Sequence, residues 1–253
     1  MPDLRGRPPP VVVLPGLEGP NVNPEGAARA FEVRRYRALA ERCTVVVLRR
    51  RRGLPAGTSM ADLAADHARA LRQRFDAPVD VVGISTGGSV ALQLAADHPD
   101  VVRRLVIWAS ACRLSDRGRA VQRAEAGHLR AGRHRLAQAS SARAVAATSV
   151  GAAAMAALTW ILSRRLPPVD VDDLVRTIES EDAFDATAHL ARIGAPTLVV
   201  GGGRDAFYGA ELFRRTAEGV RGARLLLLPR AGHGVTVSSR TARRAILSFL
   251  AAP

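Results

Sequence analysis

Ser85 stands in Val81-Val82-Gly83-Ile84-Ser85-Thr86-Gly87-Gly88, an apolar run that ends in a Gly-x-Ser-x-Gly pattern. A serine hydroxyl at the exit of a buried strand becomes a nucleophile when a neighbouring base takes its proton. The pattern suits a tight strand-to-helix turn, in which small residues at Gly83 and Gly87 leave room and the strained serine is pushed into a cleft. Base and acid follow in chain order. Ala195-Pro196-Thr197-Leu198-Val199-Val200 reads as a buried strand that runs into Gly201-Gly202-Gly203-Arg204-Asp205, whose glycines let the acid turn back towards the sheet edge. Arg224 to Pro229 is a second apolar strand, and Ala231-Gly232-His233-Gly234 places a histidine between glycines at its end. Ser85 is read as nucleophile, His233 as general base and Asp205 as the acid that orients it. Taken singly, each has a plainer reading: a helix-capping serine, a turn aspartate and a surface-loop histidine.

The elements that would position these residues alternate. Strands are expected at Val11 to Leu14, Thr44 to Leu48, Val79 to Ile84, Val102 to Ala109, Thr197 to Val200 and Arg224 to Leu228. Helices are expected at Ala27 to Glu41, Met60 to Phe75, Thr86 to Asp97, Gly209 to Glu218 and Ser238 to Leu250. Strand and helix in alternation imply a mostly parallel sheet covered on both faces. No strand pattern precedes Val11, so the sheet should have about six strands.

With these three motifs in register, the chain resembles the α/β-hydrolase fold superfamily, the serine esterases and cofactor-free haloperoxidase-like hydrolases, from about Val11 to the helix ending at Leu250. The resemblance implies an α/β core of residues 1–112 and 191–253 with an all-helical cap insertion at 113–190. It also implies an oxyanion hole from the backbone N–H groups of Thr86 and of Leu17, in the exit loop of the first strand. The family often has His-Gly where this chain has Pro15-Gly16, which removes an imidazole that would brace the loop but leaves the N–H donor.

Within the expected cap, Leu114, Val121, Leu129 and Leu136 recur every seven or eight residues and mark one narrow apolar face. Ala144 to Leu162 is a run of nineteen residues without a charge, long enough to raise a membrane span. Its Ala, Ser, Thr and Gly content argues instead for a buried cap helix whose Met155, Leu158, Trp160 and Leu162 line an acyl pocket. Phe207 and Tyr208, just after Asp205, are further pocket candidates, with core packing as the plainer role for these aromatics and for Trp108.

The net charge is +14 from 37 basic and 23 acidic residues, and every basic residue is arginine. Ten arginines face only Asp116 and Glu125 between Arg113 and Leu166, while Pro167 to Leu190 holds seven acids against Arg176. The two halves are expected to offset each other in part; otherwise the surface would attract an acidic partner such as an acyl carrier protein, a nucleic acid or an anionic membrane. Arg49 to Arg52 is read as a solvated edge. No nucleic-acid-binding motif accompanies the charge, so no nucleic acid is expected. Cys43 and Cys112 stand outside any CxxC, and the other histidines, His67, His98, His128, His134 and His189, lack ligand spacing and are read as surface or capping residues. No metal and no cofactor are implied. The N-terminal residues show no apolar signal region, and a cytoplasmic location is expected.

The chemistry expected is hydrolysis of a carboxylic ester through an acyl-enzyme. The alternatives are a thioesterase acting on carrier-bound acyl groups and a catalytically silent hydrolase-fold binding protein.

Overall fold

The computed structural model describes residues 9–17, 21–146, 149–162 and 170–252. Strands β1 (Val11–Leu14), β2 (Val45–Val47), β3 (Val79–Ile84), β4 (Val102–Trp108), β5 (Thr197–Gly202) and β6 (Arg224–Leu228) form one sheet in the order β2-β1-β3-β4-β5-β6. Every adjacent pair is parallel, as the alternation predicted. Around the sheet run α1 (Gly26–Ala40), α2 (Met60–Arg74), α3 (Thr86–Asp97), α4 (Asp116–Arg130), α5 (His134–Val145), α6 (Ser149–Leu162), α7 (Val171–Asp182), α8 (Gly209–Gly219), α9 (His233–Ser238) and α10 (Arg240–Leu250).

Alternate side chains along each strand feed two cores. Val12, Leu14, Val81, Leu105, Ile107 and Val199 meet α2, α3 and α8 on one face. Val11, Val13, Val82, Ile84, Val106, Trp108, Leu198 and Val200 meet α1 and α10 on the other. Valine-, isoleucine- and leucine-rich strands are what a sheet covered on both faces selects, each fully buried side chain contributing roughly 1.5–3 kcal/mol. The strand order reverses at β1, which has β2 on one side and β3 on the other. Loops leaving the two strands of such a switch point diverge and open a crevice at the carboxyl ends. Gly16 and Leu17 leave β1 there, and Ser85 leaves β3.

Among the described residues, the insertion between β4 and β5 carries α4 to α7, and its ends meet. Ala186 N–H donates to the Cys112 carbonyl at 2.8 Å, and Arg113 bridges to Asp185. Its basic and acidic halves pair directly through Arg123 with Asp182 at 2.9 Å and Arg130 with Glu179. The Asp173 carboxylate ties α7 to the core by accepting from the Gly53 and Leu54 N–H groups at 2.8 and 2.7 Å.

Several expectations are corrected. The expected C-terminal helix is present as α10, capped by the Ser239 hydroxyl accepting from Ala242 N–H at 3.2 Å, but a short helix that was not expected precedes it, and His233 opens that helix, α9, rather than sitting in a loop. The apolar stripe of the insertion stops at Arg130, because Gly132 at φ +69° turns the chain and leaves Leu136 on α5, exposed. The charge-free run is split between α5 and α6, and among the described residues no helix is long and apolar enough to cross a membrane. The arginine run is only half a solvated edge: Arg51 and Arg52 are exposed, pairing with Asp66 and Asp170, whereas Arg49 pairs with Glu32 with its side chain largely covered and Arg50 is buried. His67 is buried as well, with Nδ1 at 2.7 Å from the Leu63 carbonyl, and burial lowers its pKa.

Candidate active site

Ser85 joins β3 to α3 at φ 52° and ψ −127°, a positive φ that side chains with a Cβ rarely adopt and that costs about 1–3 kcal/mol. Hydrogen bonds hold it there: the Ser85 N–H donates to the Trp108 carbonyl at 3.0 Å, and Gly88 N–H donates to the Ser85 carbonyl at 2.6 Å. A Cβ at Gly87 would lie 2.1 Å from the Leu14 carbonyl oxygen, and one at Gly83 would lie 2.6 Å from the Ala91 Cβ. The exit of β1, the end of β3 and the start of α3 thus approach too closely for any other residue at these two positions.

His233 and Asp205 meet across two loops. The imidazole Nδ1 lies 2.8 Å from Asp205 Oδ2, and both residues are buried. The other carboxylate oxygen accepts from Phe207 N–H at 2.9 Å and Tyr208 N–H at 3.3 Å, so the acid is fixed from both ends. Backbone bonds from Gly203 N–H to the Leu228 carbonyl and from Arg204 N–H to the Ala231 carbonyl, each 2.9 Å, lash the two loops together. With Nδ1–H directed at a carboxylate, Nε2 is left as the acceptor nitrogen of the imidazole. The Phe207 ring leans on that imidazole, centroids 4.9 Å apart.

Ser85 and His233 line one cavity of about 630 Å³. Gly16, Leu17, Ile84, Thr86 and Phe207 line it beside them; α4 and α5 supply Gln122, Glu125, Ser141 and Val145; and α1, α9 and α10 supply Phe31, Arg34, Arg35, Val237, Ser238 and Arg243. Among the described residues, neither the Leu17 N–H nor the Thr86 N–H donates to a backbone carbonyl. Gly16 packs directly on Ser85, since a Cβ there would come within 3.2 Å of the serine Cβ. Where Pro15-Gly16 lacks a bracing imidazole, Arg50 Nη1 donates to the Gly16 carbonyl at 3.3 Å, and Asn21 Nδ2 holds the Arg50 carbonyl at 2.8 Å. Residues 18–20 of this loop lie outside the described residues.

The structure thus brings Ser85, Thr86, Leu17, Phe207 and His233 to one cavity, with Asp205 behind the histidine. It does not bring the other pocket candidates there. Tyr208 is buried behind the site, where its hydroxyl donates to Glu181 at 3.1 Å. Met155, Leu158 and Trp160 are 39%, 55% and 39% exposed and are absent from the cavity lining; the side chain of Leu162 lies outside the described residues. The physical reason is that α6 packs against α5, and α5 itself supplies the cavity wall. Trp160 lies beneath the Arg135 guanidinium instead, 3.9 Å from the ring centroid.

Two acids were missed. Glu181, fully buried on α7, accepts from Thr86 Oγ1 at 2.7 Å, Ser89 Oγ at 2.8 Å, Gln122 Nε2 at 2.8 Å and Tyr208 OH at 3.1 Å. One carboxylate therefore fastens the insertion to the start of α3 and to the Asp205 loop. Glu125 on α4 lines the cavity and accepts from Ser141; burial, opposed by that hydrogen bond, raises its pKa to about 7. The available signal was an acid on an apolar stripe: Leu174, Ile178 and Glu181 fall at helical spacing, as do Gln122, Glu125 and Leu129.

Comparison with known proteins agrees with this architecture. A pimeloyl-[acyl-carrier protein] methyl ester esterase of Neisseria meningitidis serogroup B is 30% identical over 192 residues, covering 73% of each chain. The enol-lactonase from Burkholderia xenovorans LB400 superposes with a TM-score of 0.79 at 21% identity, covering 99% of this chain and 94% of its own. An esterase from Exiguobacterium antarcticum gives a TM-score of 0.76 at 20% identity, over 98% and 93% of the two chains. The sequence profile described as the Alpha/beta hydrolase family matches residues 4–245, and the chain belongs to that family of hydrolytic enzymes.

Proposed function

We propose that this protein is a serine hydrolase that cleaves a carboxylic ester through an acyl-enzyme. The observation that carries the reading is the 2.8 Å bond between His233 Nδ1 and Asp205 behind a cavity that Ser85 and His233 both line. In this mechanism Ser85 Oγ attacks the ester carbonyl while His233 Nε2 takes its proton and Asp205 stabilises the imidazolium. The N–H groups of Leu17 and Thr86 receive the oxyanion, helped by the positive end of α3. His233 then protonates the leaving alcohol and activates the water that releases the acid. The insertion at 113–190 acts as the cap, contributing Gln122, Glu125, Ser141 and Val145 to the cavity wall.

The Neisseria relative, named for a methyl ester on an acyl-carrier protein, supports an ester as the bond cleaved. Its name also favours a second reading, in which the acyl group arrives on an acidic carrier protein and the bond is an ester or a thioester. Matched oxygen esters and acyl thioesters, assayed with the parent chain and with Ser85→Ala, test both readings. Turnover of at least one class should fall by several orders of magnitude in the variant. A Ser85→Ala protein of near-parental activity overturns the mechanism.

A further inference from the structure

One wall of the Ser85 cavity carries charge that hydrolysis itself does not require. Phe31, Arg34 and Arg35 stand at i, i+3 and i+4 on α1, so they share a helix face, and all three line the cavity together with Arg243 of α10. Most arginines nearby are matched by acids: Arg37 on the same helix pairs with Glu41, and Arg49 pairs with Glu32. Among the described residues, no ion pair is made by Arg34, Arg35 or Arg243; Arg35 lies over the Tyr36 ring, 5.5 Å from its centroid. Phe31 is 60% exposed, an aromatic left open beside these guanidinium groups.

Among the described residues, the acid lining this cavity is Glu125, which sits on α4 and is engaged by Ser141. Burial raises its pKa to about 7, and among the described residues it makes no ion pair with Arg34, Arg35 or Arg243. Arginine stays protonated at any working pH. Three like charges on one concave surface repel each other until an anion enters, and a guanidinium fork matches a carboxylate or phosphate in two hydrogen bonds. Arg35 and Arg243 are half-buried, which makes such contacts stronger than at a fully solvated site.

We propose that α1 and α10 form an anion subsite of the Ser85 cavity, in which Arg34, Arg35 and Arg243 hold a carboxylate or phosphate carried by the substrate and Phe31 covers the apolar segment next to it. The inference rests on the reading of this cavity as the substrate site. It places the preferred substrates among anionic amphiphiles rather than simple neutral esters.

Two matched pairs test it: the monomethyl ester of a dicarboxylic acid against the methyl ester of the equally long monocarboxylic acid, and an acyl pantetheine phosphate against the same acyl pantetheine. The ratio of kcat/KM, anionic over neutral, should be about tenfold or more for at least one pair, which also identifies whether carboxylate or phosphate is the group recognised. The ratio should shrink as salt is added to the parent protein and fall towards one in Arg35→Gln/Arg243→Gln. Ratios near one for both pairs, or a ratio unaffected by salt and by the double substitution, overturn the proposal while leaving ester hydrolysis standing. If neither member of any pair is hydrolysed, the hydrolase reading fails, and calorimetric binding of the dicarboxylate monoester to the Ser85→Ala protein decides the subsite separately. Binding that Arg35→Gln/Arg243→Gln abolishes supports it, and no binding overturns it.

Discussion

Replacing Glu125 by glutamine should remove a pH dependence of stability that the parent protein carries between about pH 4.5 and 7. Glu125 is 9% exposed on the cavity wall, and burial raises its carboxyl from 4.5 to about 7. A carboxyl with a raised pKa in the folded state keeps its proton while the unfolded chain has already lost one. Its stabilising contribution is therefore complete below about pH 4.5 and is lost as pH rises through 7. The interval between 4.5 and about 7, at about 1.4 kcal/mol per pH unit, amounts to about 3 kcal/mol. Urea unfolding of the parent and of Glu125→Gln at a series of pH values from 4 to 8 measures it. The stability of the variant relative to the parent should climb by about 3 kcal/mol across the series and level off at its upper end. A difference that stays flat with pH would refute a carboxyl buried and protonated on the cavity wall.

Other substitutions probe the geometry around Ser85. Gly87→Ala places a methyl 2.1 Å from the Leu14 carbonyl, so it should cost about 3 kcal/mol or more and abolish turnover; a stable, active variant would contradict the close packing of β1 on α3. Asp205→Asn keeps its oxygen on the Phe207 and Tyr208 N–H groups and turns its amide towards His233, which forces the wrong tautomer. It should unfold at the parental temperature yet lose on the order of 10⁴ in kcat, as single-turnover kinetics would report. At Glu181, the Ser89 and Tyr208 hydroxyls can rotate to accept from a glutamine, so Glu181→Gln should cost about 1–2 kcal/mol, whereas Glu181→Ala orphans all four donors and should cost more than about 3 kcal/mol. Equal urea midpoints for the two would argue against the hydrogen-bonded hub.

Much of this site is legible in the sequence because its geometry has local causes. The apolar run into Ser85 with Gly83 and Gly87 dictates the turn, and the strand-to-glycine transitions before Asp205 and His233 place both residues at the carboxyl edge of a parallel sheet. The insertion is less legible. Its amphipathic pattern marks α4 and α7 as half-buried, but which polar residues share the buried stripe depends on the partner helix, so Gln122, Glu125 and Glu181 were invisible as a group. Alanine-rich α6 misleads for a related reason: small side chains give a weak periodic signal, and hydropathy alone does not say that Leu158 and Ile161 face outwards. Arg50 lies far from Gly16 in sequence, and its support of that carbonyl follows from the side-by-side pairing of β1 and β2.

Covalent labelling with a fluorophosphonate, followed by mass spectrometric mapping of the modified peptide, tests the central claim without knowledge of the substrate. The account predicts a single adduct on Ser85 that disappears in His233→Ala, because only a serine paired with a poised imidazole is nucleophilic enough to react. Folded protein that takes no label, or that is labelled at Ser85 equally well without His233, would contradict it.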